Sequence, residues 1–361
     1  MQKRTRRFLF YFLVSIFLAA SPVLIVYSLG YKFDLIKGAV QKTGGIFIKS
    51  KTRGLALFLD GNFAKENSLI SGGALLIDLK PANHFVRLEK TGFHPWSKKV
   101  EVKPEIVTEL RNIYLVPLNI IAATSTAAEQ KLFLPAPKPT LSLQKNKKGS
   151  LVETKTKAVL AKNVNSFALV GSGVLFVDKN GFLARFDPGT KITETIERPG
   201  FFLDERPLIF VESVKGDVAI LDPSGGLFIL DASNNKITPI KGGLKKVVFD
   251  QKGEKLLLIK ERGLEILWLA DNTYQPFQKK GTVEIILENT DEVQNAAWFY
   301  EDGAHVAFKT GEGIFFTEVD GRGGKNTLKI LSGRTDEVLT AYELPNAIFF
   351  KRGKTWYKIE I

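Results

Sequence analysis

The chain has 361 residues, 44% hydrophobic and 25% charged, ordinary globular values that exclude a mainly disordered, collagen-like or polytopic membrane protein. It has no cysteine and only three histidines, His84, His94 and His305, which removes disulfide frameworks, thiolate metal sites and cysteine nucleophiles. The net charge of +13 is uneven: residues 1–150 hold 23 Lys+Arg against 9 Asp+Glu, and the rest hold 28 against 29, so the larger C-terminal part is neutral and nucleic acid is not an expected partner.

Residues 1–7 form a basic tail with Lys3, Arg4, Arg6 and Arg7. Residues 8–29 follow without a charge, long enough as a helix (roughly 33 Å) to cross a bilayer core of about 30 Å. Aromatic residues gather at both ends of this run, as they do at membrane interfaces. The positive-inside rule predicts a cytoplasmic N-terminus and an extracytoplasmic bulk. Cleavage as a signal peptide after Ala19-Ala20-Ser21 would leave Pro22 first, so an uncleaved signal anchor is expected. Residues 30–43 are a juxtamembrane segment.

Over residues 44–118 short alternating apolar segments are bounded by Gly, Pro and Asn, which predicts a β-sandwich. Asp60-Gly61 is a hairpin signal. Ser50, Gly54, Asp60, Gly61, Pro81, His84, Gly92 and Phe93 stand at positions where this segment resembles the PEGA domain family. The family's own tetrapeptide is replaced by Thr52-Arg53-Gly54-Leu55. The resemblance implies an envelope β module without a catalytic role, with His84 in a turn and His94 in a loop. Residues 119–150, with Pro135, Pro137, Pro139 and several lysines, read as a linker or a partial blade.

Residues 151–361 carry a repeat. Its second strands begin at residues 174, 217, 255, 305 and 347, so that the intervals are 43, 38, 50 and 42 residues. Strands before and after each keep step, and a fourth is read at Lys191–Ile196, Lys236–Ile240, Tyr274–Phe277 and Thr327–Leu331. Four short strands per 40–45 residues is the blade of a β-propeller. Five blades are visible, and residues 132–162 can supply a sixth. The last unit lacks its fourth strand, so a segment from nearer the N-terminus, such as Lys157–Ala161, is expected to complete it. Val247–Leu258 and Ala297–Phe308 resemble the strand–turn–strand hairpins of TolB-like and WD-repeat propellers.

No catalytic, cofactor or metal site is expected. Gly321–Asn326 lacks the spacing of a phosphate loop, and Gly171-Ser172-Gly173 lacks that of a nucleophile elbow. Lys351 stands where the aspartate of a sialidase-type box belongs, which leaves Trp356 to packing. The adjacent carboxylates Asp204-Glu205, Asp291-Glu292 and Glu301-Asp302 suit solvated turns, and His305 opens an apolar strand. The expected protein is all-β apart from its anchor: a single-pass, non-enzymatic binding or scaffold protein of a bacterial envelope, with an envelope protein or polysaccharide as partner. A glycan-active propeller enzyme and a structural spacer are the alternatives.

Overall fold

The computed structural model describes residues 3–28, 30–34, 39–67, 71–133, 142–197, 206–288, 291–299, 303–341 and 343–361. They divide into two units, Met1–Asn119 with Arg322–Asn326, and Ile120–Gly321 with Thr327–Ile361.

The first unit opens with helix α1, Lys3–Ser28, which takes in residues 3–7 of the basic tail and residues 8–28 of the apolar run. Within it Arg4–Val26 is long and apolar enough to cross a membrane. A short hairpin pairs Tyr31–Asp34 with Ala39–Lys42. Two sheets then share one apolar core. Gly44–Ser50 lies between Gly73–Leu79 and Val107–Ile113 in one, and the other orders Asn62–Glu66, Ala56–Leu59, Ala82–Glu89 and Trp96–Val102. Their inward residues, among them Ile46, Ile48, Leu57, Val86, Leu88 and Leu110, alternate with exposed ones as period-two patterning requires. Pairing of Gly44–Ser50 with Val107–Ile113 is parallel, a long-range arrangement that no local signal announces. Arg322–Asn326 belongs to this unit through Arg322 Nη2 on the Glu109 carbonyl (2.7 Å) and Asn326 Nδ2 on the Ser97 carbonyl (3.2 Å).

The second unit is a β-propeller, with six successive antiparallel sheets among the described residues, here blades 1 to 6. Blade 2 runs Val164–Val170, Gly173–Asp178, Leu183–Asp187, Ile192–Glu197, and blade 3 runs Ile209–Glu212, Val218–Leu221, Leu227–Leu230, Ile237–Lys241. Blade 4 holds Lys246–Phe249, Lys255–Lys260, Gly263–Trp268 and Val283–Glu288; blade 5 holds Asn295–Phe299, His305–Thr310, Gly313–Glu318 and Thr327–Ser332. In blade 6, Glu337–Ala341, Leu344–Arg352 and Thr355–Glu360 are joined by Ala123–Thr124, which pairs with Tyr357 and Lys358. The strand that completes blade 6 therefore comes from the segment read as a linker or partial blade, and not from Lys157–Ala161. Val159–Ala161 instead ends blade 1, after Leu143–Lys145 and Leu151–Glu153.

A recurrent turn builds the blades. Asn146, Asp178, Ser213, Asp222 and Asp250 each open a five-residue turn, accepting the N–H four residues ahead at 2.7 to 3.1 Å through a side-chain oxygen. The fourth residue is glycine every time, with φ between +62° and +88°, a backbone conformation that residues with a side chain rarely adopt. A second turn type places Lys157, Lys191 and Asn235 at φ of 55° to 60°. Together the two types mark the described strands of blade 1 as its second, third and fourth.

Neighbouring blades pack through shared apolar clusters. Leu151, Val164 and Phe176 join blades 1 and 2; Val177, Leu183 and Ile220 join 2 and 3; Leu221, Leu227 and Leu258 join 3 and 4; Ile259, Ile266 and Val306 join 4 and 5. First strands are stitched across blades by Leu208 N on Ser166 Oγ (2.9 Å), Trp298 Nε1 on the Val248 carbonyl (2.9 Å) and Asn295 Nδ2 on the Val338 carbonyl (3.2 Å).

Candidate recognition surface

The residues singled out in the first unit are structural in their contacts. The hairpin turn Asp60-Gly61 joins Ala56–Leu59 to Asn62–Glu66 with φ of 51° and 84°, a two-residue turn matched to strand twist. Asp60 Oδ1 accepts the Phe85 N–H at 2.8 Å, and Oδ2 lies 2.7 Å from His84 Nδ1. His84 Nε2 lies 2.8 Å from the Lys80 carbonyl. Burial tends to raise the Asp60 carboxyl, but its bonds to Phe85 and His84 outweigh that and hold it below the usual range. His84 thus sits in the strand Ala82–Glu89, not in the turn expected for it, and clasps one hairpin to another. Ser50 Oγ donates to the Ile113 carbonyl at 2.9 Å. Gly92 accepts the Leu118 N–H at 2.9 Å, and the Phe93 ring lies under Lys90 Nζ. Gly54 and Pro81 fall in the connections between strands. On α1, Arg4, Arg6 and Arg7 are exposed and Lys3 is the first helical residue.

In the propeller the chemistry-bearing groups are largely occupied. His305 is buried and stacks on Phe316 with ring centroids 4.9 Å apart. The Lys255 ammonium is buried between the rings of Trp268 and Trp298, 5.2 and 5.3 Å away, and donates to the Gly303 carbonyl. Buried Glu265 meets Lys241 and Lys260, and these cations hold its carboxyl below the ordinary range against the opposing effect of burial. Glu292 pairs with Lys245 at 2.7 Å. Trp356 is buried against Phe349 and Ala347. Asp204-Glu205 and Glu301-Asp302 lie outside the described residues. Among the described residues no group of three His, Asp or Glu could hold a metal.

One loop stands apart. The third and fourth strands of blade 4 are connected by residues 269–282, and Tyr274–Phe277, read from sequence as a strand, forms its tip; the fourth strand is Val283–Glu288. Asn272 organises the loop. Its Nδ2 donates to the Tyr274 and Pro276 carbonyls (3.2 and 2.8 Å), and its backbone pairs with Gln278 in both directions. Lys280 N bonds Asp271 Oδ1 at 2.7 Å, and Gly281 N bonds the Trp268 carbonyl at 2.7 Å. Despite this internal order, the two rings at the tip, Tyr274 and Phe277, are each 69% exposed. Lys279 follows them, and Lys280 Nζ reaches Asp231 in blade 3 at 3.8 Å. Ordered backbone that buries neither of its largest side chains offers aromatic anchors at little entropic cost on binding. The sequence held a signal for it: the 50-residue interval between strand starts 255 and 305, the longest of the four.

No family model and no curated protein matches the chain. Solved structures with a likeness to it include the β-propeller domain of Cps50 (Swd1) from Myceliophteria thermophila, 12% identical with a TM-score of 0.35, covering 68% of this chain and 98% of that one. The gluconolactonase XC5397 from Xanthomonas campestris is 10% identical with a TM-score of 0.34, covering 58% and 78%. An auxiliary nutrient binding protein from Bacteroides thetaiotaomicron is 8% identical with a TM-score of 0.34, covering 85% and 90%.

Proposed function

We propose that the chain is a membrane-anchored binding or scaffold protein of a bacterial cell envelope, with its N-terminus in the cytoplasm and both β units outside. The observation that carries this reading is the apolar helix Arg4–Val26, whose most apolar stretch is not buried among the described residues. A helix of that length and hydropathy is at home in a bilayer, and the basic residues Lys3, Arg4, Arg6 and Arg7 at its start favour the cytoplasmic side.

In this reading residues 44–118 are a PEGA-like spacer, supported by the Asp60–His84 clasp between resemblance positions. The propeller takes an envelope protein or polysaccharide on the Tyr274–Phe277 loop. A binding role suits the side-chain economy of the blades, where Asp178, Asp222 and Asp250 are committed to turns. Protease added to intact spheroplasts tests the anchor and its orientation together. The reading expects digestion of everything after the helix with a short N-terminal fragment protected, and full protection of the chain would overturn it.

A further inference from the structure

The exit of α1 and the start of the first sheet are held together. Helix α1 ends at Ser28, and the carbonyl of Gly30 accepts both the backbone N–H of Thr43 (2.9 Å) and its Oγ1 (2.8 Å). Between them Tyr31–Asp34 pairs antiparallel with Ala39–Lys42. Strand Gly44–Ser50 therefore begins one residue beyond a hydrogen bond to the helix exit. The residues flanking its first turn of pleat are apolar and uncovered. Gly45 pairs with Val107 and donates to the Ile106 carbonyl at 3.0 Å, and a Cβ on Gly45 would stand 3.9 Å from the Cα of Ile77 on the other side. Ile77, Ile106 and Val107 are 63%, 47% and 42% exposed, while the alternate residues Ile46 and Leu76 face the core. Beside them Lys42 lies over the Tyr31 ring at 5.3 Å and pairs with Glu105.

We propose that this corner, Ile77–Gly45–Val107 with Ile106, rests in the headgroup region of the bilayer crossed by α1. The inference depends on the anchor reading above. If α1 spans, its exit residue lies at the interface, and a hydrogen bond from it places the corner at that depth. Apolar side chains gathered there and bordered by Tyr31 and Lys42 have the composition that favours an interface. Gly45 is itself buried, with the Leu76 carbonyl oxygen 2.8 Å from where its Cβ would stand, so the exposed apolar surface of the corner is that of Ile77, Ile106 and Val107. The consequence is orientational: the first unit stands against the membrane on two supports, the helix and the corner, rather than swinging from a single tether.

The absence of cysteine allows a direct test on the full chain in vesicles of phosphatidylethanolamine and phosphatidylglycerol. Single variants Ile77→Cys, Val107→Cys, Lys49→Cys and Leu18→Cys receive a nitroxide label, and collision rates with oxygen and with an aqueous nickel chelate are compared. Lys49 lies on the same strand and face as Gly45, about 13 Å farther along at 3.3 Å per residue. Labels at 77 and 107 are expected to give an oxygen-to-nickel ratio several-fold above that at 49, approaching that at 18. Equal, water-like ratios at 49, 77 and 107 with a lipid-like value at 18 would overturn the corner and leave the anchor standing. A water-like value at 18 would remove both. Spin coupling between copies labelled at 77 or 107 would assign the face to a second chain and overturn the proposal as well.

Discussion

Lys358 Nζ lies 2.7 Å from Glu129 Oε1, so a contact between residues 229 positions apart in sequence holds the propeller's closing strand. The other oxygen of the same carboxylate accepts the Thr126 N–H at 2.7 Å, and Glu129 N donates to Thr126 Oγ1 at 3.2 Å. This is the reciprocal capping box of a helix N-terminus, and it starts helix α2, Ala127–Phe133. Ala123 pairs directly with Lys358. Two residues of strand are a weak closure by themselves, and one carboxylate ties them to the helix that follows and to the sheet they complete.

The Lys358 ammonium, with the Thr126 N–H and hydroxyl, lowers the Glu129 carboxyl from an ordinary 4.5 to about 2. A depressed carboxyl stabilises the fold above its unfolded value and loses that contribution as pH falls through the folded one. The tie is therefore expected to persist below pH 4.5 and to fail near pH 2. A carbon-detected titration should place the Glu129 midpoint near 2, and Lys358→Met should move it toward the ordinary range. Glu129→Gln should speed amide exchange at residues 123–130 with little effect on blades 2 to 5. A wild-type midpoint at the ordinary value would refute the assignment.

The clasp between Asp60 and His84 predicts a local effect in the first unit. Asp60→Ala removes acceptors for the Phe85 N–H and for His84 Nδ1, and should cost that unit about 1–2 kcal/mol, the usual scale for partly exposed bonds to a charged acceptor. Because the Asp60 carboxyl is held low, its contribution is present above the usual carboxylate range and fades as pH falls below it. Denaturant midpoints of wild type and Asp60→Ala should therefore converge in acid. A gap that widened on acidification would contradict the clasp.

Much of the fold was legible because period-two patterning and turn chemistry are local. The Asp-Gly turn at 60 and 61, the strand starts at 174, 217, 255, 305 and 347, and the apolar helix all rest on residues adjacent in sequence. The elements that were missed or misplaced depend on distant partners. Ala123–Thr124 has no alternation of its own and becomes a strand only because Thr355–Glu360 offers it an edge. Val107–Ile113 is defined by parallel pairing with Gly44–Ser50. Tyr274–Phe277 has the aromatic composition of a strand, but Asn272 binds the carbonyls at 274 and 276 and folds the segment into a loop. Of the candidate site, the resemblance positions were visible, whereas the exposed aromatic tip was hidden inside a strand assignment.

The pairing of third and fourth strands in blades 2 to 5 shifts register at one place, beside Leu183, Leu227, Leu264 and Ile314, as a β-bulge would. In blade 5 the residue preceding Ile314 is Gly313, at φ +148°, where a Cβ would stand 2.0 Å from the Leu331 carbonyl oxygen. That neighbour is backbone and cannot rotate aside. Gly313→Ala is expected to cost about 2–3 kcal/mol through overpacking and backbone strain. Gly311, two residues earlier, faces open space, and Gly311→Ala should stay within about 0.5 kcal/mol. Equal thermal unfolding of the two variants would show that blade 5 can widen at the bulge.

The blade 4 loop supplies the sharpest division between stability and binding. Tyr274 and Phe277 touch little of the protein, so Tyr274→Ala and Phe277→Ala should change unfolding by no more than about 0.5 kcal/mol. If they are the anchors for an envelope partner, each should weaken its capture from envelope extracts by a hot-spot amount, about 2 kcal/mol or roughly thirtyfold. Asn272→Ala keeps both rings but removes the donors to the Tyr274 and Pro276 carbonyls. It should raise amide exchange across residues 272–280 and lower affinity by about tenfold, because the ordering once built into the loop must then be met on binding. The order of effects is diagnostic. Ring removal should weaken binding more, with the loop still protected from exchange, and Asn272→Ala should weaken it less, with the rings intact. Binding unchanged in all three variants would take recognition away from this loop.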